Sequence, residues 1–173
     1  MSVTQYPAKD YPWLIKNDIT DLAVDKKGFL WVAVRGEGLV RTHTENLGKD
    51  VRVFTTKDGM HSNTISALFI DSKERVYAGG VNGLSILELI DDSLNVATMD
   101  QSDFLLSPSV NHAEIREMKN GLIAIPDELD GILLFDPKDI FQPELNPPKI
   151  YIDHIAIKGE NHPDFNAYST VNY

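Results

Sequence analysis

Residues 55–87, TTKDGMHSNTISALFIDSKERVYAGGVNGLSIL, decide the fold, because they repeat much of residues 17–41, NDITDLAVDKKGFLWVAVRGEGLVR. A shift of 46 residues, the difference between positions 63 and 17, aligns matching residues: Asn17 with Asn63, Ile19 with Ile65, Leu22 with Leu68, Asp25 with Asp71 and Trp31 with Tyr77. A weaker third copy begins near Asn111 and contains the turn Asn120-Gly121. Tandem copies at this period predict a propeller or another repeat array.

The local pattern within each copy predicts β-strands. ITDLAV, FLWVAV and GLVRTHT are short, rich in β-branched and aromatic residues, and separated by polar or glycine breaks. DVRVFTT adds a fourth strand before the next copy, and DKKG is a tight turn in which Gly28 tolerates positive φ. We read NHAEIREMKNG, the most helix-friendly stretch, as a strand as well. The predicted fold is therefore all-β, with about three four-stranded antiparallel blades that form an incomplete propeller.

The matched apolar positions predict the core of this array. Six residues are expected to pack the innermost strands and the interfaces between blades: Ile19, Leu22, Val24, Ile65, Leu68 and Ile70. Trp31 and Tyr77 occupy the same place on their second strands, and we expect them to fill space between neighbouring blades. Because closed propellers have four to eight blades, three blades leave edges and apolar faces that need neighbours.

The repeat also predicts domain boundaries. Residues 1–16 form the tail of a preceding blade, 17–62 and 63–110 are blades, and 111–145 are a last, partial blade. Residues 146–173 do not match a fourth copy, and we expect them to be a linker into a different domain that is not complete. The missing neighbours are then the remaining blades of a longer protein, or further copies that associate through exposed blade edges.

Composition excludes several classes of protein. The 173 residues carry 26 acidic and 16 basic side chains, a net charge of −10, which argues against binding to nucleic acid or to anionic lipid. Cysteine is absent, so disulfides, thiolate zinc sites and thiol nucleophiles are excluded. No run is long and apolar enough for a membrane helix. The first residues lack the features of a signal peptide, which leaves open a cytoplasmic protein or an excised segment.

These residues resemble the two-component regulator propeller repeat, whose usual form is an apolar pair, D, G, lWvgT, GGL and a dGL.sN junction. KDGMHSN and the exit FDP…PPK carry the most specific part of the likeness, and the sequence departs from it at Arg35, Glu37 and Glu74. The resemblance covers about residues 10–160. It implies that residues 146–173 are a linker and the first strand or strands of a truncated immunoglobulin-like domain of the triple-tyrosine (Y_Y_Y) type.

The resemblance implies the periplasmic sensor region of a hybrid two-component system in bacteria that sense glycans. Such proteins continue into a transmembrane helix and a histidine kinase, neither of which is in this chain. This segment would sense or scaffold without catalysis and would not itself insert into the membrane. An oligosaccharide is the implied ligand, and no cofactor is implied.

In a blade, the loop between the second and third strands and the loop into the next blade share one face. We expect that face to collect candidate ligand-binding residues: Arg35, Glu37, His61, Ser62, Asn63, Asn82, Glu128 and Asp130. Such a mixture suits carbohydrate hydroxyl groups. The alternative is that these are solvated turn residues, with Asn17 and Asn63 bonded to the loop backbone.

Neither a metal site nor a catalytic site is predicted. The acidic run PDELDG does not have the ligand spacing of a calcium loop, and the five histidines are too scattered for a zinc site. No nucleophile or phosphate-binding pattern is present. Two other functions stay open, a lyase or glycoside hydrolase fragment on a propeller scaffold, and a structural module for protein interaction.

Overall fold

The structure is a computed structural model that describes residues 3–14, 18–81, 83–100, 110, 115–127, 131–141, 156–157 and 160–161. The chain divides into two compact units, Met1–Phe141 and Gln142–Tyr173. Asn17, Asn82, Glu128 and Asp130 lie outside the described residues.

Three antiparallel sheets follow one another along the first unit. Sheet I contains β1 (Ile19–Val24), β2 (Phe29–Val34), β3 (Gly38–His43) and β4 (Arg52–Phe54) in that order. Sheet II contains β5 (Ile65–Ile70), β6 (Val76–Gly80), β7 (Gly83–Ile90) and β8 (Ser93–Met99). Sheet III contains β9 (Arg116–Glu117), β10 (Ile123–Asp127) and β11 (Gly131–Phe135).

Helix is limited, in the described part of the chain, to short segments. One four-residue α-helix, α1, spans Pro137–Ile140, and 3-10 turns span Ala8–Asp10, Pro12–Leu14 and Thr56–Asp58. None of these helices is long and apolar enough to cross a membrane. In the second unit, β12 (Ala156–Ile157) pairs antiparallel with β13 (Glu160–Asn161).

The fold prediction is confirmed: the chain is all-β, with successive antiparallel sheets arranged as the blades of an incomplete propeller. Each sheet has strands adjacent in space in the order in which they occur in the sequence, as short hairpins require. Sheets I and II have the expected four strands, and sheet III has three among the described residues. The stretch read as a strand rather than a helix contains β9.

The first hairpin turn repeats in all three sheets. In sheet I the Gly28 amide donates to the carbonyl of Asp25 at 3.2 Å, and Gly28 has φ 84°. In sheet III the Gly121 amide donates to the carbonyl of Met118 at 2.8 Å, with φ 85° at Gly121. Sheet II has Glu74 at this position, and its φ of 66° shows that the left-handed conformation is kept without glycine.

Apolar clusters between successive sheets form the core. Trp31, which is 2% exposed, lies in the cluster between sheets I and II. Tyr77, which is 0% exposed, lies in the cluster between sheets II and III. The prediction that these two aromatic side chains fill the space between blades is confirmed.

The prediction for the innermost strands is right for sheet II and wrong for sheet I. Ile65 is buried, and Leu68 and Ile70 pack against the cluster between sheets I and II. Their counterparts in sheet I are exposed instead, by 45% at Ile19, 54% at Leu22 and 59% at Val24. The reason is that no sheet among the described residues covers that side of β1.

The N-terminal segment covers another part of the same side of sheet I. Tyr11 and Trp13 pack against the buried cluster of Val32, Val34 and Val40. The rings of Tyr11 and Trp13 meet edge to face, with centroids 5.8 Å apart. These rings cover part of β2 and β3 but leave Ile19, Leu22 and Val24 of β1 exposed.

Candidate functional site

The predicted ligand-binding residues that the structure describes lie at one end of sheet I. Arg35 and Glu37 belong to the turn between β2 and β3, and His61, Ser62 and Asn63 belong to the connection from β4 to β5. The amide of Gly38 donates to the carbonyl of Asn63 at 3.0 Å and joins the two segments. The structure thus brings these five residues to one face, as the blade geometry predicts.

Hydrogen bonds within the protein hold the connection that carries His61, Ser62 and Asn63. The Asn63 side-chain oxygen accepts the Thr56 amide at 2.8 Å, and the Ser62 hydroxyl accepts the Thr64 amide at 3.0 Å. The backbone amide of His61 donates to the hydroxyl of Ser85 at 2.9 Å. These bonds fix the connection between sheets I and II, so Asn63 has a structural role whether or not a ligand binds nearby.

Arg35 is held at the surface by an ion pair. Its Nε lies 2.8 Å from Oδ2 of Asp18, and the two side chains are 50% and 52% exposed. An ion pair this open to solvent contributes little to stability, and the guanidinium keeps donors that can face a ligand. Asn82, Glu128 and Asp130, the other candidates for this face, lie outside the described residues.

A depression that the sequence did not predict lies at the opposite end of the strands. Its volume is about 280 Å³, and turns of sheets II and III form its walls together with the start of α1. We call it the lysine depression. It is lined by Ser72, Lys73, Arg75, Glu117, Lys119, Asn120, Gly121, Asp136 and Lys138.

Asp71 fixes the wall that sheet II contributes. Its Oδ1 accepts the amides of Lys73 at 2.9 Å and Arg75 at 3.0 Å, and its Oδ2 lies 2.6 Å from the Arg75 Nε. The hydroxyl of Tyr77 donates to the same Oδ2 at 3.0 Å. Burial raises the pKa of the Tyr77 hydroxyl above its ordinary value, and the charge of Asp71 raises it further. The ion pair with Asp71, whose side chain is fully buried, neutralises the charge of Arg75.

Glu117 joins the wall from sheet III to the wall from sheet II. Its two carboxylate oxygens accept from Ser72, at 2.8 Å from the amide and 2.6 Å from the hydroxyl. The side-chain oxygen of Asn120 accepts the Leu122 amide at 3.2 Å and holds the next turn in shape. The two turns that carry Lys73 and Lys119 are therefore fixed relative to each other.

Asp136 forms the third wall and caps α1. Its Oδ1 accepts the Lys138 amide at 3.0 Å, and its Oδ2 lies 3.6 Å from the Lys138 Nζ. The backbone hydrogen bond from Lys138 lowers the pKa of Asp136, and the ammonium groups of Lys138 and Lys73 lower it further. Asp136 is therefore ionised at neutral pH and interacts with the charges of Lys138 and Lys73.

A signal for the lysine depression is present in the sequence. The matched turns DKKG, DSKE and MKNG each carry lysine, and the repeat places all three turns at the same end of their sheets. Sequence reasoning treated these residues only as turn formers. Within the described part of the chain, no group of three or more His, Asp or Glu side chains could hold a metal ion.

The fold is similar to that of solved extracellular domains from bacteria. The chain matches the crystal structure of the extracellular domain of BT3049, a proposed hybrid two-component system from B. thetaiotaomicron, with a TM-score of 0.63 and 24% identity over 89% of this chain. It matches the extracellular domain of a second such system, BT4673, with a TM-score of 0.56 and 15% identity over 73% of the chain. Both likenesses establish the fold.

The sequence is also similar to a short part of one curated protein. Over 88 residues, 46% of this chain, the sequence is 30% identical to histidine kinase P4 of Formosa agariphila. The chain spans 6% of that relative's length and 20% and 17% of the two solved chains. No protein-family model matches the sequence.

Proposed function

We propose that this chain is a sensing or scaffolding segment in the extracellular region of a bacterial two-component sensor, and that the segment itself is not catalytic. The observation that carries the proposal is the likeness to the BT3049 extracellular domain over 89% of this chain. The similarity to a histidine kinase supports the same reading from sequence. The proposed location is the periplasm, as part of a membrane-anchored protein.

The ligand in this proposal is an oligosaccharide. The face that carries Arg35, Glu37 and His61 offers a cation, a carboxylate and an imidazole on two joined loops, a mixture that can bond to sugar hydroxyl groups. Carbohydrate binding at this face would use these side chains, while Asn63 maintains the loop through its bond to Thr56.

A binding assay with the complete chain tests the proposal. Calorimetric titration with a panel of neutral and acidic oligosaccharides is expected to give saturable binding for one structural class. Arg35→Gln is expected to weaken that binding several-fold, and Arg52→Gln, on β4 away from this face, serves as the matched control. If no saccharide binds to protein that circular dichroism shows to be folded, the proposal that this chain binds glycans directly is wrong. Release of reducing ends during incubation would remove the non-catalytic part of the proposal.

The partner in this proposal is another blade-like sheet on the open side of β1. On sheet II, the matching side of β5 is covered by sheet I through Trp31 and Leu39. We propose that Ile19, Leu22 and Val24 are covered in the same way, either by further blades of the same protein or by a second copy. Burial of each such side chain stabilises the contact by about 1.5–3 kcal/mol.

Hydrogen exchange in the complete chain distinguishes these outcomes. Stronger protection of the β1 amides in a longer protein that contains this chain than in the 173 residues alone indicates further blades. Protection of the 173 residues that rises with concentration indicates a second copy. Leu22→Ser with Val24→Ser is expected to reduce the protection, whereas Ile90→Ser, at another exposed apolar position, is not. Rapid exchange of β1 at every concentration, with β5 protected, would remove the proposed partner.

A further inference from the structure

The lysine depression has a charge opposite to that of the chain as a whole. Its lining contains the cations Lys73, Arg75, Lys119 and Lys138 and only two carboxylates, whereas the whole sequence has a net charge of −10. Charges separated by more than about 8 Å are largely screened at physiological salt. A ligand in the depression therefore responds to this local excess of positive charge more than to the net charge of the protein.

The charged groups of the lining divide into those already neutralised and those that are not. Arg75 is paired with the buried Asp71, and both oxygens of Glu117 accept hydrogen bonds from Ser72. Asp136 lies close to Lys138 and is influenced by the charge of Lys73. Among the described residues, the ammonium groups of Lys73 and Lys119 have no ion pair. Asp136 therefore interacts with the charges of Lys138 and Lys73.

The walls hold these lysines near one another through backbone that is fixed by hydrogen bonds. The turn of Lys73 is held by Asp71, the turn of Lys119 is tied to it through Glu117 and Ser72, and the Lys138 amide is held by Asp136. Like charges that are gathered on fixed backbone repel each other, and an anion between them removes that repulsion. The backbone that carries the three lysines is thus ordered before an anion binds.

We propose that the lysine depression binds a small anion with two or three carboxylate or sulfate groups, through the ammonium groups of Lys73, Lys119 and Lys138. Ligand pockets commonly measure about 300–1,000 Å³, so a volume of 280 Å³ suits a small ligand or one unit of a longer one. The anion can be a free polycarboxylate or the acidic end of a saccharide. This inference is independent of the glycan site, which uses the opposite end of the strands.

Titration calorimetry on the complete chain tests the inference, with citrate, trigalacturonate and neutral maltotriose as probes. Citrate or trigalacturonate is expected to bind saturably and more weakly as salt increases, and maltotriose is expected not to bind at the depression. Binding of citrate alone identifies a free polycarboxylate as the ligand chemistry. Binding of trigalacturonate alone identifies an acidic saccharide. Absence of saturable binding by both anions at low salt overturns the proposal.

Substitution of two lysines tests whether their side chains bind the anion. Lys73→Gln with Lys119→Gln is expected to weaken anion binding about tenfold, since two exposed charge pairs are lost. Lys27→Gln with Lys57→Gln changes the net charge equally and is the control, because Lys27 is the counterpart of Lys73 in sheet I and neither residue lines the depression. Equal weakening by both pairs would show only nonspecific attraction and would overturn the proposal.

Asp136→Asn removes a negative charge from the lysine depression, whereas the lysine variants remove positive charge. Asparagine caps a helix about as well as aspartate, so α1 is retained while the carboxylate that interacts with Lys138 and Lys73 is removed. The variant is expected to tighten anion binding several-fold. Weaker or unchanged binding with the helix intact would contradict the assigned role of the three lysines.

Discussion

The indole Nε1 of Trp31 donates a hydrogen bond to Oδ2 of Asp25 at 3.0 Å, across the first hairpin of sheet I. The hydroxyl of Tyr77 makes the same bond to Oδ2 of Asp71, also at 3.0 Å, in sheet II. Two different aromatic side chains thus donate the same hydrogen bond to the carboxylate of the hairpin turn. The bond links the turn carboxylate to the aromatic residue that fills the space between blades.

Sheet III lacks both members of this pair. Its turn has the same backbone bonds, and these place Met118 at the position of Asp71 and Ala124 at the position of Tyr77. Met118 is 43% exposed on the side of sheet III that faces away from sheet II. Joint loss of the carboxylate and its donor avoids an unpaired buried polar group.

Removal of the two turn carboxylates is expected to have unequal effects. Asp71→Ala leaves the buried guanidinium of Arg75 unpaired and is expected to cost about 3–5 kcal/mol of unfolding free energy. Asp25→Ala loses the bonds from the Phe29 amide and the Trp31 indole, at a cost of about 1–3 kcal/mol. Urea denaturation followed by tryptophan fluorescence measures both. Equal losses would show that the Arg75 pair contributes nothing beyond the shared hydrogen bonds.

Tyr77 is expected to make stability depend on alkaline pH. Its pKa is raised in the folded state above the ordinary value of 10.0, so the unfolded chain ionises first as pH rises. The stabilisation is therefore fully present below pH 10.0 and is lost progressively above it.

Tyr77→Phe tests this dependence. The variant is expected to be less stable at neutral pH by about 1–3 kcal/mol, because Asp71 loses a donor, and to lose this part of the alkaline decline. Trp31→Phe removes the matching bond in sheet I without a titrating group, so its alkaline slope should equal that of the wild type. An unchanged slope in Tyr77→Phe would assign the alkaline dependence to other groups.

Backbone conformation at Glu74 is expected to reverse the usual order of alanine and glycine. Glu74→Ala and Glu74→Gly both remove the carboxylate that accepts the Lys26 amide. At φ 66° an alanine is strained and a glycine is not. Glu74→Gly is therefore expected to be more stable than Glu74→Ala by about 1 kcal/mol, measured as a difference in thermal midpoint. The reverse order would mean that the turn relaxes out of the left-handed region.

Gly80 is expected to tolerate no side chain. A Cβ at this position would collide with the carbonyl oxygen of Thr64, which is backbone and cannot rotate away. Gly80→Ala is expected to cost more than about 3 kcal/mol, at the severe end for single substitutions. The control is Gly121→Ala, where a Cβ meets open space and only the left-handed φ of 85° opposes it, at about 1 kcal/mol. Similar thermal midpoints for the two variants would show that the backbone at Thr64 can move.

The blades could be predicted from the sequence because the turns and strands that form them are local patterns that repeat. Asp25 and Gly28 define one turn, Asp71 defines its copy, and the apolar runs on either side follow from the short strands. Trp31 and Tyr77 could be assigned to the core since the period puts both at one position. Repetition separates structural residues from functional ones, which a single copy does not.

The burial of β1 and the lysine depression could not be predicted, because both depend on contacts between sheets that no local sequence pattern specifies. Leu22 and Leu68 occupy matching positions, yet one is exposed and the other packs against the adjacent sheet. The lysine depression needs turns from two sheets and the segment after β11, so the relation between Lys73 and Lys138 is invisible along the chain. The face predicted from Arg35 and Asn63 formed, but Asn63 bonds to its own loop.

Glu74 and Glu117 each form a hydrogen bond that couples one sheet to the sheet before it. The carboxylate of Glu74 accepts the Lys26 amide of the sheet before it, and Glu117 accepts from Ser72 in the same direction. Each of these bonds joins one hairpin only to its immediate predecessor, so the coupling between sheets is of nearest-neighbour, one-dimensional kind. In such a chain of units, disorder that begins at an open end spreads inward one sheet at a time.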